Sequence, residues 1–194
     1  MSILELDKSL FFFINKTSAN FLFDIIMPAL SAKGYLLYLP YVLYIFFLGY
    51  KKTSPLNLRA SILIIFIPFI SFLITDWSAT QMKYIIARQR PCNLLEDVRL
   101  LVSCTKSFSM PSNHAANVFS FTMASIYFVR KFIHKAWIFY LLGVASFIAL
   151  SRVYVGVHYP SDILGGAIFG SFIAMSAVGL YRLFCTKVKK SNPY

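Results

Sequence analysis

The sequence predicts an all-α fold, a polytopic bundle of transmembrane helices. Of its 194 residues, 58% are apolar and only 13% are charged, whereas an ordinary soluble domain is roughly 45–50% apolar and about 25% charged. Apolar runs close to the length that crosses a bilayer recur along most of the chain. These two features exclude a soluble globular protein and a disordered chain.

Five clear spans are expected from these runs, at about residues 35–49, 60–82, 114–129, 136–155 and 163–185. The segment before them is interrupted by Asn15, Lys16, Asn20 and Asp24, so it has apolar faces but no continuous run of about 20 residues. We therefore expect N-terminal amphipathic helices that lie in the membrane interface, and a sixth span if this segment crosses. No cleavable signal peptide is expected, because Glu5 and Asp7 occupy its place.

The domain organisation follows from these spans. Residues 1–33 are the interfacial helices, 34–186 a single transmembrane domain with an outward loop at 91–110, and 187–194 a basic tail. If the spans alternate, one side of the membrane carries ten basic residues and no acid, and these are Lys51, Lys52, Arg59, Arg130, Lys131, Lys135, Arg182, Lys187, Lys189 and Lys190. The positive-inside rule places that side in the cytoplasm. The net charge of +12 then reflects topology and anionic lipid headgroups, and no nucleic-acid partner is expected.

Unusual polar residues collect at the outward helix ends. Lys83, Arg90 and Arg152 bring three cations together with Ser112 and a single carboxylate, Asp162. Ionisable groups at membrane depth are costly and usually mark a site. A phosphate would satisfy this set, because guanidinium groups bind its oxygens in bidentate fashion and a helix N-terminus attracts anions.

Two histidines could supply a reaction at that phosphate. His158 and Asp162 are four residues apart, so the carboxylate can accept a hydrogen bond from one ring nitrogen and leave the other free to attack phosphorus. His114 arrives from a different helix and could protonate the leaving oxygen as general acid.

These residues resemble a known family signature. The three motifs are Lys83-x6-Arg90-Pro91, Pro111-Ser112-Asn113-His114 and Ser151-Arg152-x5-His158-x3-Asp162. In this order and spacing they resemble the type 2 phosphatidic acid phosphatase superfamily, which includes bacterial lipid phosphatases. The resemblance implies metal-independent hydrolysis of a phosphate ester through a phosphohistidine at His158, with no cofactor. It implies that His114 is the acid and Asp162 orients His158, and it assigns phosphate binding to Lys83, Arg90, Ser112, Asn113 and Arg152.

The second motif departs from the family pattern, which usually has Gly at the position of Asn113. Asn is the non-glycine residue that best tolerates a left-handed backbone, so we expect the geometry and the activity to persist. The alternative is a specialised role for the Asn113 side chain, such as a further hydrogen bond to substrate. The outward loop carries Arg99, a candidate for headgroup recognition, although the loop could equally be an ordinary connector. Cys92 and Cys104 would face an oxidising compartment, where a disulfide is favoured. No metal site is expected.

The leading hypothesis is a lipid phosphate phosphatase of a bacterial inner membrane with its site facing the periplasm. We favour lipid A 1-phosphate as the substrate, and phosphatidylglycerophosphate and undecaprenyl pyrophosphate are the other candidates. Its partners would be the lipid phosphate and the surrounding membrane lipids. The alternatives are a lipid phosphotransferase of the same family and an anion or phospholipid transporter, against which the lack of an inverted repeat argues.

Overall fold

A computed structural model describes residues 2–191, with the side chains of residue 2 and of residues 4–183. This part of the chain is helical and contains no strand. The helices are α1 (Ile3–Phe12), α2 (Phe21–Lys33), α3 (Leu39–Tyr50), α4 (Leu58–Ile86), α5 (Pro91–Leu94), α6 (Asn113–Val129), α7 (Lys135–Tyr154) and α8 (Pro160–Ser191). A π-helical turn (Phe13–Thr17) follows α1, and a 3-10 turn (Gly34–Tyr38) joins α2 to α3.

Four helical runs are long and apolar enough to cross a membrane: Phe21–Tyr50, Leu58–Leu94, Lys135–Tyr154 and Pro160–Leu183. The remaining expected span is α6, which has only 17 residues and packs against α4, α7 and α8 in the middle of the bundle. The all-helical, multi-pass membrane fold predicted from the sequence is thereby confirmed.

The helix that precedes the first expected span, α2, continues into that span. Asn20 caps α2 by accepting from the Phe23 N–H at 2.9 Å, and the helical run from Phe21 continues through the 3-10 turn into α3. The sequence pattern suggested an interfacial helix here because Asp24 interrupts the apolar run. In the structure Asp24 accepts hydrogen bonds from Arg99 at 2.7 Å and from the Tyr154 hydroxyl at 2.6 Å. These partners offset the cost of the charge, and the run Phe21–Tyr50 is long and apolar enough to cross a membrane by length and composition. An interfacial location remains a prediction for α1 and α2.

Close packing of α8 on α6 determines where the site residues lie. A Cβ atom on Gly166 would stand 2.6 Å from the Ser112 carbonyl oxygen, and one on Gly170 would overlap the Ala116 carbonyl. Only glycine permits this approach. It brings the start of α8 against the start of α6, where the Ser112 N–H donates to the Asp162 carbonyl at 3.1 Å.

The outward loop is fastened over the end of α7. Gly156 has a φ of +92°, and a Cβ there would lie 2.8 Å from the Arg99 carbonyl, so glycine lets the loop approach the turn between α7 and α8. Within the loop, Cys92 and Cys104 are joined by a disulfide with an S–S distance of 2.03 Å. The predicted tail continues α8 as far as Ser191, and its side chains and that of Cys185 lie outside the described residues.

Candidate active site

His158 lies in the turn between α7 and α8 and is almost completely buried. An Nη1 hydrogen of Arg90 points at its Nε2 across 3.1 Å. A guanidinium can only donate, so Nε2 is the acceptor and the ring proton sits on Nδ1. Nδ1 faces Asp162 Oδ2 at 3.3 Å. The hydrogen-bond partners thus select the tautomer whose Nε2 is unprotonated and directs its lone pair at Arg90.

The protonation state of His158 follows from its surroundings. Burial lowers the pKa of His158 from 6.5 to about 3 and outweighs the hydrogen bond with Asp162, which acts in the opposite direction. The imidazole is therefore neutral near neutral pH, which a nucleophile requires.

Asp162 is fully buried and holds a dense set of hydrogen bonds. Its Oδ2 accepts from the Ser109 hydroxyl and from the Tyr159 N–H at 2.8 Å. Its Oδ1 accepts from Arg88 Nη1 at 2.8 Å. The carboxylate is fixed from both sides and cannot rotate away from His158 without breaking these bonds.

Arg88 connects Asp162 to the N-terminal helix. While Nη1 contacts Asp162, Nη2 donates to Asp7 Oδ2 at 2.6 Å, and the guanidinium lies 4.0 Å from the centre of the Tyr159 ring. Asp7 is 6% exposed and also accepts from the Ser161 N–H at 2.9 Å. Sequence reasoning missed Arg88, Asp7 and Ser109. Arg88 lies within the first motif, between Lys83 and Arg90, but no spacing in the sequence links Asp7 to Asp162.

The predicted phosphate-binding cations differ in how their donors are used. Arg90 donates from Nε to the Ser107 carbonyl at 2.8 Å and from Nη1 to the Val157 carbonyl at 3.1 Å, beside its contact with His158. The Lys83 ammonium donates to three carbonyls, those of Phe108, Ser109 and Pro111, at 3.0, 3.1 and 2.6 Å. Lys83 therefore holds the chain before α6 in place and adds positive charge, and direct phosphate contact by Lys83 stays a prediction.

Ser112 and Arg152 present buried donors without partners among the described residues. The Ser112 hydroxyl has no hydrogen bond even though Ser112 is the N-cap of α6, and the backbone of this helix start has no side-chain cap. Arg152 donates from Nη1 to the Ser31 hydroxyl, but its Nε is buried and unsatisfied. Buried donors of this kind are costly, and an anion among them would satisfy them.

The two remaining residues of the second motif point in different directions. The His114 ring packs on Tyr35 with centroids 5.8 Å apart and faces the Ser31 backbone. The Asn113 side chain turns to α4, where its Nδ2 contacts Asp76 Oδ1 at 3.1 Å and Thr80 Oγ1 at 2.9 Å. Asn113 opens α6 and is not among the described residues with positive φ. The tolerance of Asn113 for a left-handed backbone is therefore not used here. Its backbone N–H is the donor that stays available to bind a phosphate.

Arg99 is engaged within the fold. It donates from Nε to the Asn15 carbonyl at 2.9 Å and from Nη1 to Asp24 at 2.7 Å, and it lies 4.9 Å from the Tyr154 ring centre. These contacts tie the outward loop to α2 and α7. Its Nη2 is buried without a partner among the described residues, and headgroup recognition by Arg99 stays a prediction.

A family comparison agrees with this arrangement. The model of the PAP2 superfamily matches residues 60–184, which include all three motifs. The chain belongs to the PAP2 superfamily. The membership predicted from the motifs is confirmed.

Three similar proteins carry the names of lipid phosphatases or diphosphatases. An undecaprenyl-diphosphatase of Sulfolobus acidocaldarius is 35% identical over 111 residues, covering 56% of this chain and 51% of the relative, so the match spans about half of that protein. The putative undecaprenyl-diphosphatase YbjG of Escherichia coli is 30% identical over 89% of this chain and 81% of its own length. A lipid A 4'-phosphatase of Bacteroides thetaiotaomicron is 28% identical over 87% and 73% of the two chains.

Two solved structures have the same fold. The crystal structure of Aquifex aeolicus LpxE superposes with a TM-score of 0.66 and 24% identity, covering 92% of this chain and 99% of the other. A PAP2-type phosphatidylglycerolphosphate phosphatase of Bacillus subtilis gives a TM-score of 0.65 and 25% identity, with coverages of 93% and 86%. The names of these relatives cover several lipid phosphates, so family membership alone does not choose among them.

Proposed function

We propose that this protein is a lipid phosphate phosphatase that works through a phosphohistidine at His158. The observation that carries the proposal is the tautomer of His158: its unprotonated Nε2 faces Arg90, and its Nδ1 faces Asp162. The unpartnered donors of Ser112 and Arg152 stand at the adjacent start of α6 and end of α7.

Phosphate binding uses donors from three helix ends. The Ser112 hydroxyl, the Arg152 Nε and the backbone N–H groups at the start of α6 would contact the phosphoryl oxygens. Arg90 would transfer its Nη1 donor from His158 to an oxygen, because a charged oxygen is a stronger acceptor than an imidazole nitrogen. This exchange frees Nε2 and brings it close to phosphorus. Lys83 adds positive charge beside the segment before α6, to whose carbonyls it donates.

The reaction then proceeds in two displacements. Nε2 of His158 attacks phosphorus, the ester bond breaks, and His114 gives a proton to the leaving oxygen. Asp162 stabilises the positive charge that develops on the imidazole through Nδ1. A water molecule, deprotonated by His114, attacks the phosphohistidine and releases inorganic phosphate. The cations and helix dipole stabilise the charge on the equatorial oxygens, which is the role that a metal ion has in other phosphatases.

The lipid nature of the substrate is supported by an apolar cavity of about 370 Å³ beside the site. Tyr35, whose ring packs on His114, forms part of its lining, together with Phe72 of α4 and Val118 of α6. An acyl or prenyl chain in this cavity would leave its phosphate near His114. Among the candidates we favour lipid A 1-phosphate over phosphatidylglycerophosphate and undecaprenyl pyrophosphate.

Location in a bacterial inner membrane with a periplasmic site is part of the proposal. It is supported by the distribution of charge: the ends of the helices opposite the site carry Lys51, Lys52, Arg130 and Lys131 without an acid.

The decisive experiment is release of inorganic phosphate from a panel of purified lipid phosphates by the detergent-solubilised protein. The expected result is release from at least one lipid, with an acid-labile phosphoenzyme that is absent from His158→Ala. A phosphotransferase would instead produce a phosphorylated acceptor lipid without free phosphate. Transport of a lipid phosphate across vesicles with no cleavage would overturn the proposal.

A further inference from the structure

The apolar cavity has walls that continue outward into polar residues. On α4 it is lined by Ile65, Phe69 and Phe72, and on α6 by Val118 and Phe121. These residues follow helical spacing, so each wall is a stripe along one helix face. The third wall is the segment that joins α2 to α3.

One turn further outward the two stripes end in Asp76 on α4 and His114 on α6. The Tyr35 ring lies against both walls, 5.9 Å from the Phe72 ring and 5.8 Å from that of His114. Asp76 is exposed, and it is close enough for its charge to act on His114 and Lys83. An exposed carboxylate at the mouth of an apolar cavity is costly in a membrane and calls for a function.

Asp76 is held in position by two asparagines. Its Oδ1 accepts from Asn117 Nδ2 at 2.7 Å and from Asn113 Nδ2 at 3.1 Å, and Asn113 also contacts Thr80 at 2.9 Å. Its Oδ2 has no hydrogen bond to any residue in the described part of the chain. Asn113 stands where the family pattern usually has Gly, and glycine could not make this contact. The departure in the second motif therefore fixes Asp76 with one oxygen available.

We propose that Asp76 recognises the leaving group of the substrate, as an acceptor for a hydroxyl or amide N–H beside the scissile ester. The inference rests on the proposed function, in which His114 protonates the leaving oxygen while the lipid chain occupies the cavity. The atoms that join the phosphate to the lipid chain must then lie beside Asp76. A glycerol or sugar leaving group offers a hydrogen to Oδ2, whereas the leaving group of a diphosphate brings a second anion toward the carboxylate. The site thus selects lipid monophosphates on a glycerol or sugar over polyprenyl diphosphates.

Three commercially available probes separate these effects. Lysophosphatidic acid has a free hydroxyl next to the phosphate ester, hexadecyl phosphate has a similar chain without one, and farnesyl diphosphate has a second phosphate. We expect the wild-type kcat/KM for lysophosphatidic acid to exceed that for hexadecyl phosphate by about tenfold or more, the size of a hydrogen bond to a charged group. Asp76→Asn should reduce this ratio severalfold and raise the ratio of farnesyl diphosphate to hexadecyl phosphate severalfold. Ratios do not depend on the folded fraction of the variant.

Two further variants sharpen the test. Glu96→Gln removes an equal charge from an exposed position on the outward loop and should leave both ratios at their wild-type values. Asn113→Gly keeps the backbone N–H but removes the amide that orients Asp76, so both ratios should move as in Asp76→Asn by a smaller factor. Wild-type ratios in Asp76→Asn, or equal shifts in Glu96→Gln, would overturn the inference alone. Absence of phosphate release from every probe by the wild-type protein would instead overturn the proposed function.

Discussion

Arg88→Gln is the substitution that tests how the site is positioned. The side chain bridges two buried carboxylates, with Nη2 2.6 Å from Asp7 and Nη1 2.8 Å from Asp162. Gln keeps hydrogen-bonding capacity but removes the positive charge and one arm of the fork. Both carboxylates would then lose their cation.

The magnitude can be worked from this geometry. Two unit charges about 4 Å apart interact by about 4 kcal/mol at an effective dielectric constant of about 20, and breaking a buried pair costs about 3–5 kcal/mol. The Arg88 side chain is 20% exposed, which places the expected loss of unfolding free energy at the lower end, about 3 kcal/mol. For a chain of this length that loss lowers Tm by roughly 10 °C. Asp162 keeps its bonds from Ser109 and Tyr159 but loses the bond on Oδ1, so we expect kcat to fall by about tenfold with a smaller change in KM.

The assay is thermal unfolding in detergent together with steady-state phosphate release. Arg130→Gln is the matched control, because it removes an exposed guanidinium from the opposite end of the bundle, and both quantities should stay near their wild-type values. Adding Asp7→Asn to Arg88→Gln removes one unpaired charge and should recover part of the lost Tm without recovering kcat. Wild-type Tm and kcat in Arg88→Gln, or a double variant that regains kcat, would refute the reasoning.

Five other outcomes are expected. His158→Ala should abolish hydrolysis and the phosphoenzyme. His114→Ala should slow lipid substrates by roughly 10²–10⁴ but p-nitrophenyl phosphate much less, since that leaving group needs little protonation; equal losses on both would contradict the assignment of the acid. Activity should persist in EDTA and be inhibited by vanadate, and strict dependence on an added metal would argue against charge stabilisation by the protein's own cations. The pKa of His158 in the folded state lies below the ordinary histidine value of 6.5. As the pH drops below 6.5 the unfolded state therefore binds a proton on this imidazole before the folded state does, and Tm should fall. His158→Gln should flatten that Tm profile, and an unchanged slope would exclude His158 as its source. An impermeant thiol reagent outside intact cells should label Lys106→Cys and not Lys52→Cys, and the reverse pattern would invert the topology.

Local patterns in the sequence predicted the membrane bundle and several of the residues that the structure brings together around His158. Apolar runs indicate which helices face lipid, because side chains in contact with lipid are predominantly apolar. The helices later in the chain were therefore predicted close to their observed positions. The motif residues were found because motifs are short: His158 and Asp162 share a turn, and Ser112 and His114 share a helix start. The same local view could not supply the partners of Asp24, because Arg99 and Tyr154 are distant in sequence, so Asp24 appeared only as a break in the apolar run.

Tertiary structure alone decided which partner each polar side chain takes. Asp7 meets Ser161 across 154 positions of sequence, and Asn113 meets Asp76 across 37. Both pairings depend on how closely the packed helices approach one another. Hydrogen bonds and ion pairs require contact over about 3 Å, so spacing along the chain cannot specify them when the residues lie on different helices. The motifs therefore predicted many of the groups that lie around His158, while the packing of α1, α4, α6 and α8 determined that Arg88 holds Asp162 and that Asp76 stands at the cavity mouth.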